Sequence, residues 1–349
     1  MVSVKSKSKA ILSIFIIIFL CSKGSLNANP QNMSEDKIPN VIIVTLAGLR
    51  NSESIDEPYH QYIPNLWNKI FKEGVLYTNL INQSIDFHMP SVIALNAGIA
   101  YSFYYNKLTA PAIFQYVRKK YALPANKVWF IGNWFKAQGC CITDEYPNET
   151  CVTQMSVSMD ILIPPEIKKF LTKQELLFLE KLPKTREQKL YNFPQWNSVE
   201  EVHYPLFKKV IKEFKPKLVH YFMADVDSGH HAAFCGYIIS LKRSDERIYE
   251  IWQMIQSDPF YKDKTYLIVC VDHGRDQYYM NHSGNPFTDS YPVWMYIYGP
   301  NIKKGVIINR SIYHVDIFAT IANIMNVETH PNKGRVLTDC FQTRDDSAR

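Results

Sequence analysis

An aspartate and a histidine stand together at the end of an apolar run in the last third of the chain. Asp272 and His273 directly follow the run 265–271, and His282 comes nine residues after His273. Carboxylate oxygen and imidazole nitrogen are ligands that divalent cations such as zinc accept. Open α/β sheets place their binding sites at the carboxyl ends of strands. The pattern therefore predicts a metal site at this end of a sheet.

A second acidic and imidazole group follows another predicted strand, 218–222. Asp227 and His231 lie shortly after that strand, and a turn could bring both to the same ion as His282. Three protein ligands of the types Asp, His and His leave a fourth position open for water or substrate, as in catalytic zinc sites. This spacing strengthens the prediction of a metal site.

Two neighbouring residues compete for these roles. Asp225 is an alternative ligand to Asp227, although a supporting or turn role fits it better, and His230 competes with His231. Arg50 and Arg275 could each bind an anionic substrate through paired N–H groups, with salt bridges as the alternative role. We predict both arginines as substrate contacts.

Strand and helix patterns alternate through most of the chain. The predicted strands are 41–44, 128–131, 218–222, 265–271 and 291–298. The predicted helices are 63–71, 90–97, 112–121, 198–214, 241–256 and 312–325. Repeated βα units of this kind predict an α/β fold with a largely parallel central sheet and helices on both faces.

The segment 140–197 breaks this alternation. It is polar and contains one helical pattern, 172–182. We interpret 140–197 as an insertion within a single α/β domain, 37–330, which is followed by a C-terminal tail, 331–349. The insertion carries aromatic residues that could form a recognition surface, although local packing is their commoner role.

The first 28 residues have the pattern of a secretory signal. Three lysines precede the apolar run 10–20, and 26–28 resembles a cleavage site. The apolar run is too short to span a bilayer comfortably, so we predict no integral membrane segment after cleavage. Residues before Cys21 lack the small side chains usual at a lipidation site. Export to the periplasm or the exterior is thus favoured over a lipid anchor at Cys21.

The composition is that of an ordinary globular protein. Of 349 residues, 46% are hydrophobic and 21% are charged, and the formal net charge is +6. Its lysines are scattered and do not form the dense basic stripe that a nucleic-acid groove requires. We therefore predict no nucleic-acid partner.

The order of these motifs resembles the alkaline phosphatase superfamily, particularly its phosphodiesterase and sulfatase-like branch. The resemblance extends from about residue 40 to 327. It rests on the segments 41–50, 227–231, 272–275, 298–302 and 314–320, and on His282. It implies a fold of alkaline phosphatase type.

The resemblance also implies two zinc ions about 4 Å apart. One site takes an aspartate and two histidines, which Asp227, His231 and His282 match. The other site takes two aspartates and one histidine, together with a threonine or serine nucleophile. Asp272 and His273 match two of those three ligands.

The sequence departs from that pattern at two positions of the second site. Ala47 stands where the family has an aspartate, and His88 stands where the family has the nucleophile. A methyl group cannot coordinate zinc, and a hydroxyl nucleophile is weak until its pKa is lowered. Because both changes affect the second site, we expect one zinc ion rather than two.

Two functions are consistent with this reduced site. The first is an exported metal-dependent hydrolase of small phosphate or sulfate esters. One zinc ion on Asp227, His231 and His282 would lower the pKa of its water towards about 7, and His88 would serve as general base or phosphoryl acceptor. A space-filling role is the alternative for His88.

The second function is a catalytically inactive pseudoenzyme that keeps the fold and one metal and binds a ligand or partner. A structural protein without metal fits worst, because it leaves five ligand-type residues unexplained.

Overall fold

The computed structural model describes most of the unit Asn32–Arg349. The described residues are 34–83, 88–100, 110–132, 153–157, 161–180, 199–228, 234–276 and 292–343. The predicted signal segment 1–28, with Cys21, and much of the predicted insertion lie outside these residues. Within the described ranges, no helix combines the length and apolar character that crossing a membrane requires.

A ten-stranded sheet forms the centre of the described structure. Its strands are Asn40–Leu46 (β1), Val75–Ile81 (β2), Val128–Ile131 (β3), Thr153–Val157 (β4), Ile161–Leu162 (β5), Leu218–Met223 (β6), Thr265–Val271 (β7), Val293–Tyr298 (β8), Val306–Ile308 (β9) and Ile312–Tyr313 (β10). The order across the sheet is β10-β2-β8-β7-β1-β6-β3-β4-β5, with β9 beside β2.

Most neighbouring strands are parallel, and β8 is the central exception. It runs antiparallel to both β2 and β7, whereas β7, β1, β6 and β3 are mutually parallel neighbours. Every residue of β1, β6 and β7 is buried. Strands covered on both faces have nearly continuous apolar sequences, which is why these three were recognisable from their mostly hydrophobic runs.

The helices pack around this sheet. They are His88–Ala97 (α1), Ile113–Tyr121 (α2), Pro165–Lys168 (α3), Lys173–Glu180 (α4), Glu200–Phe214 (α5), Asp225–Ser228 (α6), Phe234–Ser257 (α7) and His314–Ile324 (α8). The predicted α/β fold with a mostly parallel sheet is confirmed. The predicted helix 63–71 contains a π-helical turn, Leu66–Ile70.

The three central strands end at the same level. Leu46 is in register with Met223 on β6 and with Val271 on β7. The Ala47 N–H donates to the Met223 carbonyl at 3.0 Å, and the Asp272 N–H donates to the Leu46 carbonyl at 3.1 Å. Residues that follow β1, β6 and β7 therefore emerge side by side at one edge of the sheet.

Lys217 lies at the opposite end of β6 and is buried, with 2% of its surface exposed. Its ammonium donates to the Ile38 carbonyl at 3.1 Å and to Asn40 Oδ1 at 3.0 Å. It also lies 4.4 Å from the centre of the Phe260 ring. Burial disfavours the charged form and lowers the pKa of Lys217 from 10.5 to about 8.

Replacing Lys217 by Met tests this burial. Between pH 8 and pH 10.5 the unfolded chain binds a proton at Lys217 that the folded chain has released. Stability rises with pH wherever the unfolded state binds more protons. The free energy of unfolding of the wild type, minus that of Lys217→Met, should therefore increase across this range in urea denaturation. Lys262→Met, at an exposed lysine, is the control. A flat difference for Lys217→Met would show that the ammonium is solvated in the folded protein.

Candidate metal centre

Three ligand-type side chains converge at the edge where the central strands end. His88 begins α1, and Asp272 and His273 follow β7. His88 Nδ1 lies 2.6 Å from Asp272 Oδ2 and 2.9 Å from His273 Nε2. All three residues are buried, each with 8% or less of its surface exposed. The structure thus brings together three of the residues singled out in the sequence.

The Asp272 carboxylate is held by backbone donors on one side. Its Oδ1 accepts the Gly48 N–H at 2.9 Å and the His273 N–H at 2.7 Å. This arrangement leaves Oδ2 directed at the imidazoles of His88 and His273. The backbone N–H groups of Gly48 and His273 therefore fix the orientation of the Asp272 carboxylate.

Asp227 lies on the other side of the His88 ring. Its Oδ2 is 3.0 Å from His88 Nε2, and its Oδ1 accepts a hydrogen bond from Arg275 Nη2 at 2.8 Å. Asp227 belongs to α6, which directly follows β6. The His88 imidazole consequently bridges two carboxylates that come from different strand ends.

These carboxylates reverse the effect of burial on the pKa of His88. Burial alone would lower the pKa of His88, but the charges of Asp227 and Asp272 outweigh it and raise the pKa to about 10. His220, a buried histidine on β6, shows the opposite result, because burial lowers its pKa to about 3. For Asp272, burial is outweighed by His273, by His88 and by the Gly48 N–H, which lower its pKa. Positive charge is therefore favoured where His88 lies.

Arg275 joins the loops that follow all three central strands. Its Nε donates to the Gly48 carbonyl at 2.7 Å, and its Nη2 donates to the carbonyls of Val226 at 3.0 Å and Asp227 at 2.6 Å. The side chain is fully buried and lies 5.4 Å from the centre of the Tyr237 ring. These contacts give Arg275 a supporting role, and its contact with a substrate stays a prediction.

Arg50 is also engaged within the protein. Its Nη1 donates to the Asp276 carbonyl at 2.9 Å, and its Nε lies 3.3 Å from Glu53 Oε2. The guanidinium thus links the loop after β1 to the loop after β7. Substrate binding by Arg50 likewise stays a prediction.

The structure separates Asp225 from Asp227. Asp225 is buried, and its Oδ2 accepts from Arg247 Nη1 at 3.4 Å. Its Oδ1 accepts the Glu200 N–H at 3.4 Å. Asp225 therefore anchors the start of α6, whereas Asp227 contacts the His88 ring. This arrangement agrees with the supporting role favoured for Asp225.

Glu200 was not identified in the sequence. It is fully buried at the start of α5, where its Oε1 accepts the Ala224 N–H at 3.0 Å. Its Oε2 accepts a hydrogen bond from the Tyr221 hydroxyl. Glu200 thereby holds the chain between β6 and Asp227. An acidic residue at the start of an amphipathic helix normally faces water, so the sequence carried no clear signal of this role.

His88, Asp272 and His273 form a set that a divalent cation could occupy. Within the described residues, their ligand atoms lie within 4.8 Å of one another. An Asp, His, His donor set suits zinc or a similar cation. The other predicted ligands, His231 and His282, and the alternative His230 lie outside the described residues, so their metal binding stays a prediction.

Sequence comparison gives a partial match. Residues 185–329 match the Metalloenzyme superfamily. A phosphopentomutase of Clostridioides difficile is 33% identical over 133 residues, which cover 38% of this chain and 32% of that enzyme. A phosphopentomutase of Caldanaerobacter subterraneus is 34% identical over 103 residues, covering 30% and 24%. The chain thus spans a third or less of the length of these relatives.

Solved structures match over most of the chain. A putative sulfatase from Bacteroides thetaiotaomicron has a TM-score of 0.61 at 9% identity, covering 88% of this chain and 76% of its own. A protein in the alkaline phosphatase superfamily from Vibrio parahaemolyticus has a TM-score of 0.53 at 18% identity, covering 86% and 70%. The fold is that of the alkaline phosphatase superfamily. A phosphonate monoester hydrolase of Agrobacterium radiobacter, with a TM-score of 0.55 at 14% identity, covers 88% and 78%. The alkaline phosphatase fold that the motif order predicted is therefore confirmed.

Gly48 allows the close approach of these loops, and its replacement tests that role. Its φ is +64°, and a Cβ there would lie 2.5 Å from Asp227 Oδ1 and 2.9 Å from Arg275 Nη2. Gly305 has the same φ of +64° but the Cβ contact there is an ordinary 3.6 Å. Backbone strain should cost each Gly→Ala variant about 1–3 kcal/mol. We expect Gly48→Ala to lose more than Gly305→Ala in urea denaturation, because only Gly48→Ala displaces the Asp227–Arg275 pair. Equal losses would contradict this account.

Proposed function

We propose that the chain is a metal-dependent hydrolase of small phosphate or sulfate esters that works with a reduced metal site. The observation that carries this proposal is the convergence of His88, Asp272 and His273 where the central strands end. The phosphonate monoester hydrolase and sulfatase structures of the same fold support the choice of ester class. A bound divalent cation would supply a Lewis acid and lower the pKa of coordinated water.

Zinc is the cation that we propose, as one ion rather than two. The described residues support a site at Asp272 and His273, whereas the sequence pattern predicts the single ion on Asp227, His231 and His282. Imidazole nitrogens and one carboxylate are common zinc ligands, whereas an all-oxygen set would favour magnesium or calcium. Ala47 is fully buried and offers no ligand atom to the site of Asp272 and His273. The donor set of the described residues therefore supports a site that is reduced relative to the two-metal pattern.

The residues around this site hold its ligands in place. The N–H groups of Gly48 and His273 fix one oxygen of Asp272, and Arg275 fixes one oxygen of Asp227. Position 88 offers no hydroxyl, so a covalent intermediate on a threonine or serine there is excluded. The nucleophile of the proposed reaction is consequently water rather than a side-chain hydroxyl at this position.

A catalytically inactive protein is the second candidate, and one observation favours it. Both ring nitrogens of His88 face carboxylates, at 2.6 Å and 3.0 Å. A histidine engaged in this way must release one partner before it can accept a proton or a phosphoryl group. In this alternative the chain keeps the fold and one metal and binds a ligand or partner without turnover.

We also propose that the protein is exported. The charged, apolar and small-residue order of residues 1–28 supports a secretory signal that directs the protein to the periplasm or the exterior. A lipid anchor at Cys21 is less favoured, and no nucleic-acid partner is proposed.

Activity measurements distinguish the two candidates. Protein loaded with zinc should hydrolyse at least one of an aryl phosphate, a phosphodiester and an aryl sulfate, and a chelator should abolish that activity. His273→Ala should abolish it as well, since it removes a ligand, whereas His330→Ala should not. His330 hydrogen-bonds Tyr116, which makes it a matched histidine outside the metal cluster. A zinc-loaded protein inactive on all three substrates would favour the inactive alternative.

Restoring the family pattern tests how complete the remaining site is. The double variant Ala47→Asp/His88→Thr returns a carboxylate and a hydroxyl to their expected positions. If the rest of the site is intact, its rate on the same three esters should exceed that of the wild type by a factor of about 100 or more, the scale of one well-placed catalytic group. No gain in a folded, zinc-loaded double variant would show that further elements of the site are missing.

A further inference from the structure

The neighbours of the two imidazoles indicate which nitrogens carry protons when the rings are neutral. His88 Nε2 faces a carboxylate oxygen of Asp227 at 3.0 Å, so this nitrogen donates. His273 Nδ1 faces the Gly274 carbonyl at 2.8 Å, so it also donates. In a neutral imidazole the other nitrogen then presents a lone pair. His88 Nδ1 lies 2.9 Å from His273 Nε2 and 2.6 Å from Asp272 Oδ2. A cation bound at this point would take the place of the proton that His88 Nδ1 otherwise shares with Asp272.

The Asp272 carboxylate adds a third electron-rich atom at the same point. His88 Nδ1 and His273 Nε2 are 2.9 Å apart, and Asp272 Oδ2 lies 2.6 Å from the first and 3.6 Å from the second. Zinc bonds of about 2.0–2.2 Å in a tetrahedral arrangement place ligand atoms roughly 3.3 Å apart. The three measured separations bracket that value, so small side-chain adjustments would suffice to bind a cation.

The changes at positions 47 and 88 concern the same cluster. Ala47 adjoins Gly48, whose N–H binds Asp272 Oδ1 at 2.9 Å. A carboxylate at position 47 would emerge beside Asp272, because β1 and β7 are in register. The methyl of Ala47 provides no ligand, whereas His88 provides a nitrogen from α1. The cluster thus lacks a ligand at position 47, after β1, and has instead a nitrogen from His88, at the start of α1.

We propose that His88 is a ligand of the divalent cation, binding it through Nδ1 together with Asp272 and His273. Asp227 orients the ring by accepting the Nε2–H, as carboxylates commonly do for metal-bound histidines. The Gly274 carbonyl does the same for His273. This inference rests on the proposed function for the presence of a cation. It replaces the roles of general base and phosphoryl acceptor for His88 with metal binding.

Metal stoichiometry tests the proposal without any activity measurement. Protein stripped with a chelator is reloaded with Zn²⁺, desalted and analysed by mass spectrometry for zinc per chain. His88→Ala and His273→Ala should each lose the same single equivalent, and the double variant His88→Ala/His273→Ala should lose no more than either. Wild-type stoichiometry in His88→Ala, with loss in His273→Ala, would overturn the proposal. His330→Ala is the matched control and should keep full stoichiometry.

Two further variants guard against loss of metal through misfolding. His88→Gln can still donate an N–H to Asp227 but lacks the imidazole nitrogen, so it should fold, as judged by circular dichroism, and still lose the equivalent. Ala47→Asp/His88→Thr should regain it, because the carboxylate at position 47 replaces the nitrogen. Co²⁺ loading adds a spectroscopic readout, since removal of a nitrogen ligand changes the visible absorption of bound cobalt. An unchanged cobalt spectrum in His88→Gln would contradict the assignment.

The two proposals fail in different ways. A wild type that binds zinc through His88 but hydrolyses none of the tested esters would leave metal binding intact and remove the hydrolase. An active wild type whose His88→Ala variant keeps its metal would leave the hydrolase and remove the ligand role. Each result identifies which statement is wrong.

Discussion

Two carboxylates, Asp227 and Asp272, meet on either side of one imidazole at a buried edge of the sheet. Removing an ionised carboxylate from water costs several kcal/mol unless charge and hydrogen bonds compensate it. Here the compensation is specific, since backbone N–H groups bind Asp272 and the Arg275 guanidinium binds Asp227. His88 contacts both carboxylates. The loops that follow the central strands thus supply the backbone donors and the guanidinium that compensate the two carboxylates.

The fold brings these charges together by ending three parallel strands at one level. Because β7, β1 and β6 are in register, the residues after them emerge as neighbours. Arg275 then ties the three loops through carbonyls of Gly48, Val226 and Asp227. A guanidinium suits this task because its several donors point in fixed directions. The apolar core positions the strands, and one buried arginine sets the spacing of the polar loops.

The central strands and the residues at their ends could be predicted from sequence, whereas the side-chain roles could not. The runs that became β1, β6 and β7 are mostly apolar, so they indicated strands buried on both faces. By contrast, β2 mixes buried and half-buried residues and was missed. The choice between Asp225 and Asp227 depends on Arg247, which comes from a helix later in the chain. Long-range contacts of this kind have no local signature. The same holds for Arg275, whose burial is a property of the packed loops.

Two separate requirements act on the side chain at position 88, one for a nucleophile and one for positive charge beside Asp227 and Asp272, and different side chains can meet them. The threonine or serine nucleophile of the family pattern requires a hydroxyl there, but the neighbouring carboxylates require only positive charge or a cation bound among them. The buried imidazole of His220 contacts Thr45 and Asn96 rather than a carboxylate. Its pKa is lowered to about 3, whereas the pKa of His88 rises to about 10. The electrostatic requirement is thus imposed by Asp227 and Asp272 and persists without any nucleophile. A chain can therefore lack the hydroxyl and keep the charged cluster, because the contacts of Asp227 and Asp272 with His88, Arg275 and the backbone do not depend on a hydroxyl at position 88.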